Sequence, residues 1–229
     1  MLWDKKLKKK AVTFSYDDGT VYDLKLIKLL DKYGLKSTFN LSSECLPKHK
    51  DEVSLGRYRK ICRNDVKFVY ENHEVAVHTL NHVHLTSCDD REVVRQVEED
   101  RLKLSELAEY EVCGMAYPFG DFDERVEALI KNNTAVRYCR TVVTSKNFEL
   151  HNNILRLNPT VFHLRYQKLM SLAQEFIELR TDTPKLFYIF GHSYELEAEP
   201  ENWKKLEAFF EIISKRDDIF YGENREVVL

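Results

Sequence analysis

Two adjacent carboxylates, Asp17 and Asp18, and two imidazoles four residues apart, His78 and His82, are the side chains in this sequence best suited to holding a metal ion. Residues at i and i+4 share one face of a helix or loop, so the two imidazoles can reach one cation. Side-by-side carboxylates repel unless a cation or a hydrogen-bond donor offsets their charge. Capping of a helix that starts near Tyr22 would occupy one aspartate and leave the other unexplained. Two neutral imidazoles and one of the two carboxylates make a His2Asp set that suits Zn2+ with a position open for water. The other aspartate is then free to act as a base toward that water.

These residues need a scaffold that brings strand ends together. Ala11–Tyr16 is apolar and aromatic and runs into Asp17-Asp18-Gly19, a strand followed by a turn. Helical spacing of Leu24, Ile27 and Leu30 follows, with Gly34 placed as a C-terminal stop. Lys36–Leu41, Glu74–His78, Val112–Tyr117, Val136–Val143, Ile154–Leu157, Lys185–Phe190 and Ile219–Tyr221 read as further strands. Between them lie amphipathic helices: one capped by Asp89 or Asp90, and others at Phe122–Lys131, Phe162–Leu179 and Trp203–Ser214. This alternation predicts an α/β fold with a mostly parallel sheet, and seven or eight strands favour a barrel. Asp17-Asp18, His78, the turn Tyr117-Pro118-Phe119-Gly120 and His192 each follow the end of a predicted strand. The C-terminal strand ends of parallel α/β folds form one face, and sites are built there.

Composition narrows the function further. The chain has 229 residues, with 35 Lys+Arg against 38 Asp+Glu and a net charge of −3. That length fits one domain, residues 1–229, with no repeat or linker to divide it. The near balance of charge excludes a dominant nucleic-acid or anionic-membrane footprint. No run of about 18 apolar residues is present to span a bilayer. Five cysteines without a C-x-x-C pair argue for reduced thiols acting as small buried hydrophobes rather than a zinc ribbon or disulfide framework. The basic start, Met1 to Lys10, lacks the apolar core of a signal peptide, which points to a cytoplasmic chain, and Lys5–Lys10 reads as a solvated terminal segment.

Thr13-Phe14-Ser15-Tyr16-Asp17-Asp18-Gly19 resembles the T-F-D-D-G block of the polysaccharide deacetylases, the NodB-homology or carbohydrate esterase 4 group. His78-Thr79-Leu80-Asn81-His82 is similar to their H-[ST]-x-x-H block, and Leu186–His192 to their late strand block ending in a catalytic histidine. The resemblance implies a distorted (β/α) barrel of about seven parallel strands, one divalent metal and hydrolysis of N-acetyl or O-acetyl groups on a carbohydrate. It implies Asp17 as the base, Asp18, His78 and His82 as metal ligands, and His192 as the general acid. Zn2+ is the first choice of metal, with Co2+, Ni2+ or Mn2+ as alternatives. Ala116-Tyr117-Pro118-Phe119 takes the place of the family's R-x-P-Y motif, which assigns the Phe119 N–H to the oxyanion and Tyr117 to substrate.

The sequence departs from that pattern twice. Ala116 stands where the motif has an arginine that orients the catalytic aspartate. Arg137, Arg140 or Arg156 would have to substitute, and Arg140, in the next strand-like run, is the first choice. No D-x-x-D-W block is present, which leaves the carboxylate that tunes the acid histidine without a candidate. His84 is read as structural and Trp203 as core packing, while Tyr22 and Tyr194 are candidates for stacking on a sugar and Asn40 for reaching the site. The expected partner is an acetylated amino sugar or oligosaccharide. The competing readings are a deformylase or cyclic-amide hydrolase on a small substrate, and a catalytically inactive carbohydrate-binding barrel.

Overall fold

A computed structural model describes Trp3, residues 8–49, Gly56 and residues 58–229. Among the described residues eight parallel strands form one curled sheet: β1 (Lys10–Asp17), β2 (Ser37–Leu41), β3 (Glu74–Val77), β4 (Gly114–Ala116), β5 (Tyr138–Arg140), β6 (Val161–Phe162), β7 (Lys185–His192) and β8 (Ile219–Tyr221). The order is β5-β4-β3-β2-β1-β7-β6. β8 pairs with Lys10–Val12, below the stretch Phe14–Asp17 that β2 occupies. The segment between β5 and β7 ties the two ends of the sheet together. Leu157 exchanges backbone hydrogen bonds with Cys139 and Thr141 of the β5 region, and Thr160 N–H donates to Tyr188 O of β7 at 2.7 Å. The architecture is the distorted (β/α) barrel expected from the sequence.

Helices α1 (Asp23–Tyr33), α2 (Val66–Val69), α3 (Asp90–Ala108), α4 (Glu124–Asn133), α5 (Tyr166–Glu178), α6 (Pro200–Ile213) and α7 (Asn224–Val228) cover the sheet. Their ends follow local chemistry. Gly34 closes α1 at φ 66°, donating its N–H to Asp31 O, a conformation that costs glycine little. The Asp89 side chain accepts from Glu92 N–H at 2.8 Å and so caps α3. Neither Asp17 nor Asp18 caps α1, whose N-cap is Tyr22 with no side-chain bond. Both aspartates are therefore left for other work.

The period of two along β1 sorts its side chains. Val12, Phe14 and Tyr16 join the main apolar core under the helices, where Phe14 meets Phe209 and Phe210 of α6 edge-on. Ala11, Thr13, Ser15 and Asp17 alternate with them and face the barrel interior. There Thr13 Oγ1 donates to Asn224 Oδ1 of α7 at 3.0 Å, and Asn40 Nδ2 donates to Ser15 Oγ at 2.8 Å. α7 thus plugs the lower end of the barrel, and Asp17 ends the interior row at the upper mouth.

Four expectations need correction. Val136–Val143 is strand only at Tyr138–Arg140, because Thr141 turns the chain out by donating to Asn158 Oδ1 and accepting from Val143 N–H. Ile154–Leu157 makes one bridge rather than a strand, and the strand β6 begins after Pro159, which has no N–H for a ladder. Only Cys62 and Cys139 are buried; Cys45, Cys88 and Cys113 are half-buried, and all five are free. Lys10 is buried in β1, its ammonium donating to Phe176 O and Ile177 O and pairing with Asp218 at 2.7 Å. The start of the basic run, residues 5–7, lies outside the described residues. Among the described residues no helix is long and apolar enough to cross a membrane.

Candidate metal centre and active site

The upper mouth gathers the chemistry-bearing residues from β1, β3, the turn after β4, β5 and β7. Among the described residues one set of His, Cys, Asp and Glu is spaced for a metal ion: Asp18, His78 and His82, whose ligand atoms lie within 4.8 Å of one another. Four non-glycine residues at this mouth adopt left-handed backbone: Asp18 (φ 84°), Thr79 (φ 61°), His82 (φ 54°) and Phe119 (φ 60°). Such conformations cost on the order of 1 kcal/mol or more each, so surrounding bonds must impose them. Asp18 N–H donates to Asn40 O at 3.0 Å, and Lys60 Nζ donates to Asp18 O at 2.7 Å. Thr79 Oγ1 accepts from Val83 N–H across the His82 turn.

The donor set suits a divalent cation. His78 Nδ1 sits 2.8 Å from Ala116 O, and a carbonyl only accepts, so Nδ1 carries the proton and Nε2 keeps a lone pair. Burial lowers the His78 pKa to about 4 against the opposing pull of Asp17 and Asp18, and burial also lowers that of His82. Both imidazoles are neutral at pH 7 and able to ligate. Burial would raise the Asp18 carboxyl, but Lys60 at 3.3 Å and the nearby histidines lower it, so it is ionised. His78 is fixed from behind, its N–H donating to Leu41 O and to the α3 carboxylate Asp100 Oδ2.

Asp17 lies beside this set and is held differently. Arg140 Nη2 approaches its two oxygens at 2.6 and 2.5 Å, and Asn40 Nδ2 donates to Oδ1 at 2.7 Å. Burial alone would raise its pKa; the Arg140 guanidinium overcomes this, with help from His78 and His192, and holds it at about 2. Arg140, from β5, reaches β1 through the barrel interior and stacks on the Phe190 ring at 5.0 Å. It is the register partner of Ala116 on the neighbouring strand.

His192 closes the opposite side of the mouth, its Nε2 3.8 Å from Asp17 Oδ2 and 4.0 Å from Asp18 Oδ2. Its Nδ1 pairs with Glu195 Oε2 at 3.1 Å. Burial lowers its pKa, but Glu195, Asp17 and Asp18 together raise it above the ordinary histidine value.

Phe119 sits in the turn after β4, with its ring half exposed. It stacks on His84 (3.9 Å between centroids) and meets His82 edge-on at 4.6 Å. The turn's two internal bonds come from Gly120 and Asp121 N–H and leave the Phe119 N–H out of its bonding. Tyr117, expected at the substrate, lies in the core instead. Its buried ring stacks on Phe122, and its hydroxyl donates to Leu155 O at 3.0 Å, so the side chain has no path to the cleft. Trp203 is buried, with its N–H on Glu197, while Tyr194 lies beside His192 at 5.1 Å and packs edge-on against the exposed Tyr58.

Three residues at the site escaped the sequence reading: Lys60 on Asp18, Glu195 on His192, and the buried His163 behind Glu195. Glu195 was findable, since it stands three residues after His192 where the chain must turn. Lys60 and His163 carried no signal, lying in a polar stretch and at the start of a helix-like run.

The family model for polysaccharide deacetylase matches residues 4–137. A search of curated proteins finds no match. Among solved structures the fold is similar to a probable polysaccharide deacetylase from Pseudomonas aeruginosa PAO1, at 11% identity over 98% of this chain and 91% of that chain, TM-score 0.76. It is also similar to Puue allantoinase, at 10% identity over 96% and 89% of the two chains, TM-score 0.74. A third similar structure is a CE4 family pseudoenzyme from Bacillus anthracis, at 17% identity over 96% of this chain and 66% of that chain, TM-score 0.58. At these identities the likeness is one of fold.

Proposed function

The chain belongs to the polysaccharide deacetylase family, and we propose that it is a metal-dependent hydrolase that removes acetyl groups from an acetylated amino sugar or oligosaccharide. The observation that carries this reading is the convergence of Asp18, His78 and His82, with an ionised Asp17 and His192, whose pKa its acidic neighbours raise, on either side. Asp18, His78 and His82 would hold a divalent cation, Zn2+ first, which would supply Lewis acidity and lower the pKa of water toward ~7.

The chain's own groups do the rest. Asp17 is kept ionised by Arg140 and is free to take a proton from the attacking water. Asn40 and Arg140 fix the direction of that carboxylate. The Phe119 N–H is available to the developing oxyanion, and loss of one such donor costs roughly 3–4 kcal/mol of transition-state stabilisation in other enzymes. His192 presents Nε2 to the cleft and delivers a proton to the leaving nitrogen or oxygen, while Glu195 supports its positive charge. Arg140 takes the place of the missing motif arginine, and Glu195 that of the missing tuning carboxylate.

The test is acetate release from chitooligosaccharides and acetylated xylan by the zinc-loaded protein. Asp17→Asn abolishes turnover and retains zinc, whereas His78→Ala loses zinc. Equal zinc loss in both variants refutes this division of roles. Bound zinc without release from any amide or ester supports the inactive binding barrel. Release from a formamide or a cyclic amide alone supports the small-substrate hydrolase.

A further inference from the structure

His163 follows the last residue of β6 and points inward, wholly buried, with no place in the chemistry described above. Its ring is clamped edge-on by Tyr16 at 5.4 Å and Phe162 at 4.9 Å. The glycine at 191 leaves room for it, since a Cβ there would overlap the imidazole. Its backbone N–H donates to Phe190 O at 2.9 Å, which locks the residue to β7, the strand that ends in His192.

His163 Nε2 lies 3.0 Å from Glu195 Oε2. Glu195 is ionised and only accepts, so His163 carries its proton on Nε2. The same oxygen accepts from the His192 N–H at 3.1 Å and sits 3.1 Å from His192 Nδ1. One carboxylate oxygen thus accepts from the His163 ring and from the His192 backbone amide, and lies against the His192 ring without a hydrogen bond to its Nδ1. Among the described residues His163 Nδ1 is buried without a partner. A proton there would leave an unpaired buried donor on a cation, a far costlier state than a bare lone pair. Burial fixes His163 as neutral and as a single tautomer, a one-way donor to Glu195.

Glu195 needs such a holder. It sits in the 3-10 helix Ser193–Ala198, and its side chain is 21% exposed, so water competes for its oxygens. We infer that His163 is a positioning residue: it fixes Glu195, whose oxygen holds the His192 backbone N–H and lies against the His192 ring, and so keeps Nε2 of His192 turned to the cleft. The inference rests on the proposed role of His192 as proton donor.

The experiment uses the zinc-loaded full chain and three variants. His163→Phe keeps the ring and removes the donor, His163→Gln keeps a donor at the Nε2 position, and His192→Gln removes the acid. The expected result is a fall in kcat of about 10- to 100-fold for H163F, in the range for partners that orient a functional side chain from behind, with KM and zinc content unchanged. H163Q recovers most of the loss. Side-chain nitrogen NMR shows the wild-type His192 shifts retained in H163Q and displaced in H163F. Wild-type kcat and wild-type His192 shifts in H163F overturn the inference, as does an H163Q as impaired as H163F. Should H163F fail to fold, His163→Asn, whose amide falls short of Glu195, takes its place with the same expected losses. Unchanged kcat in H192Q refutes the proton-donor reading alone, and the nitrogen shifts then still decide whether His163 positions the His192 ring.

Discussion

Replacing Arg140 with methionine tests the electrostatics on which the site depends. The Arg140 and Asp17 side chains are 0% and 4% exposed, and the guanidinium touches both carboxylate oxygens. Asp17 is lowered from 3.8 to about 2 in spite of burial. A depression of that size is worth about 2 kcal/mol of net stability at neutral pH. Removing Arg140 forfeits that and exposes the burial cost it was masking, and breaking a buried pair typically costs ~3–5 kcal/mol. In a chain this long, each kcal/mol shifts Tm by about 2–4 °C, so R140M is expected to melt about 6–20 °C lower.

The sign with pH follows from the direction of the shift. Because the folded pKa of Asp17 lies below the unfolded one, its stabilisation is present above about pH 4 and fades as pH falls toward 2. In R140M the carboxyl takes up a proton more readily than in the unfolded chain, so the deficit relative to wild type narrows between pH 7 and pH 4. Urea unfolding followed by circular dichroism at both pH values measures this. The double variant Asp17→Asn/Arg140→Met buries neither charge and should regain at least about 2 kcal/mol over R140M. An R140M loss below about 1 kcal/mol, or a double variant no more stable than the single one, would refute the reasoning.

Three other outcomes are expected. Burial raises the Glu74 carboxyl, at the foot of the barrel, from 4.5 to about 7. Its folded state then keeps a proton the unfolded chain has lost, and stability falls by about 3 kcal/mol as pH rises through that window. Glu74→Gln should flatten this slope and be the more stable protein at pH 8 by urea unfolding; a less stable variant at pH 8 counts against it. Gly191→Ala should push His163 from its seat, costing about 1–3 kcal/mol by overpacking, read as a lower Tm together with reduced turnover. Zinc at a hundred times its Kd should stabilise the protein by about 2.7 kcal/mol in calorimetry, and His78→Ala should abolish that gain.

The parallel barrel and the candidate metal ligands were legible because each depends on short-range pattern. Ala11–Tyr16 reads as an apolar, aromatic run that ends in a turn, and the structure extends it only to Lys10 and Asp17, while His78 and His82 are four apart. Strand limits were less legible where a side chain overrides propensity. Val142 and Val143 favour a strand, but Thr141 takes up hydrogen bonds that would extend β5 and the valines end up exposed. Tyr117 was misplaced because adjacency to a turn says nothing about which face a ring takes; its hydroxyl finds Leu155 O, 38 residues away. His163 lay hidden because Phe162–Leu179 has helical spacing throughout, whereas the chain spends Val161 and Phe162 on β6 before α5 starts at Tyr166.

The pairing of Arg140 with Asp17 shows how the candidate site can depart from the motif and still meet the carboxylate with a cation. Ala116 and Arg140 are register partners on adjacent parallel strands, so they stand at the same height in the barrel wall. A charge entering from either strand can meet Asp17, because the curled sheet brings β5 across the interior from β1. What the carboxylate requires is a cation at that height inside the barrel, whichever strand supplies it. Ala116 assists from its own position: its carbonyl accepts from His78 Nδ1, so the residue that lacks the arginine still sets the tautomer of a candidate metal ligand. The same holds on the other side of the mouth, where Glu195, only three residues beyond His192, supplies a carboxylate that no separate block of the sequence offers. The barrel geometry therefore constrains which charges must meet, and leaves open which positions along the chain provide them.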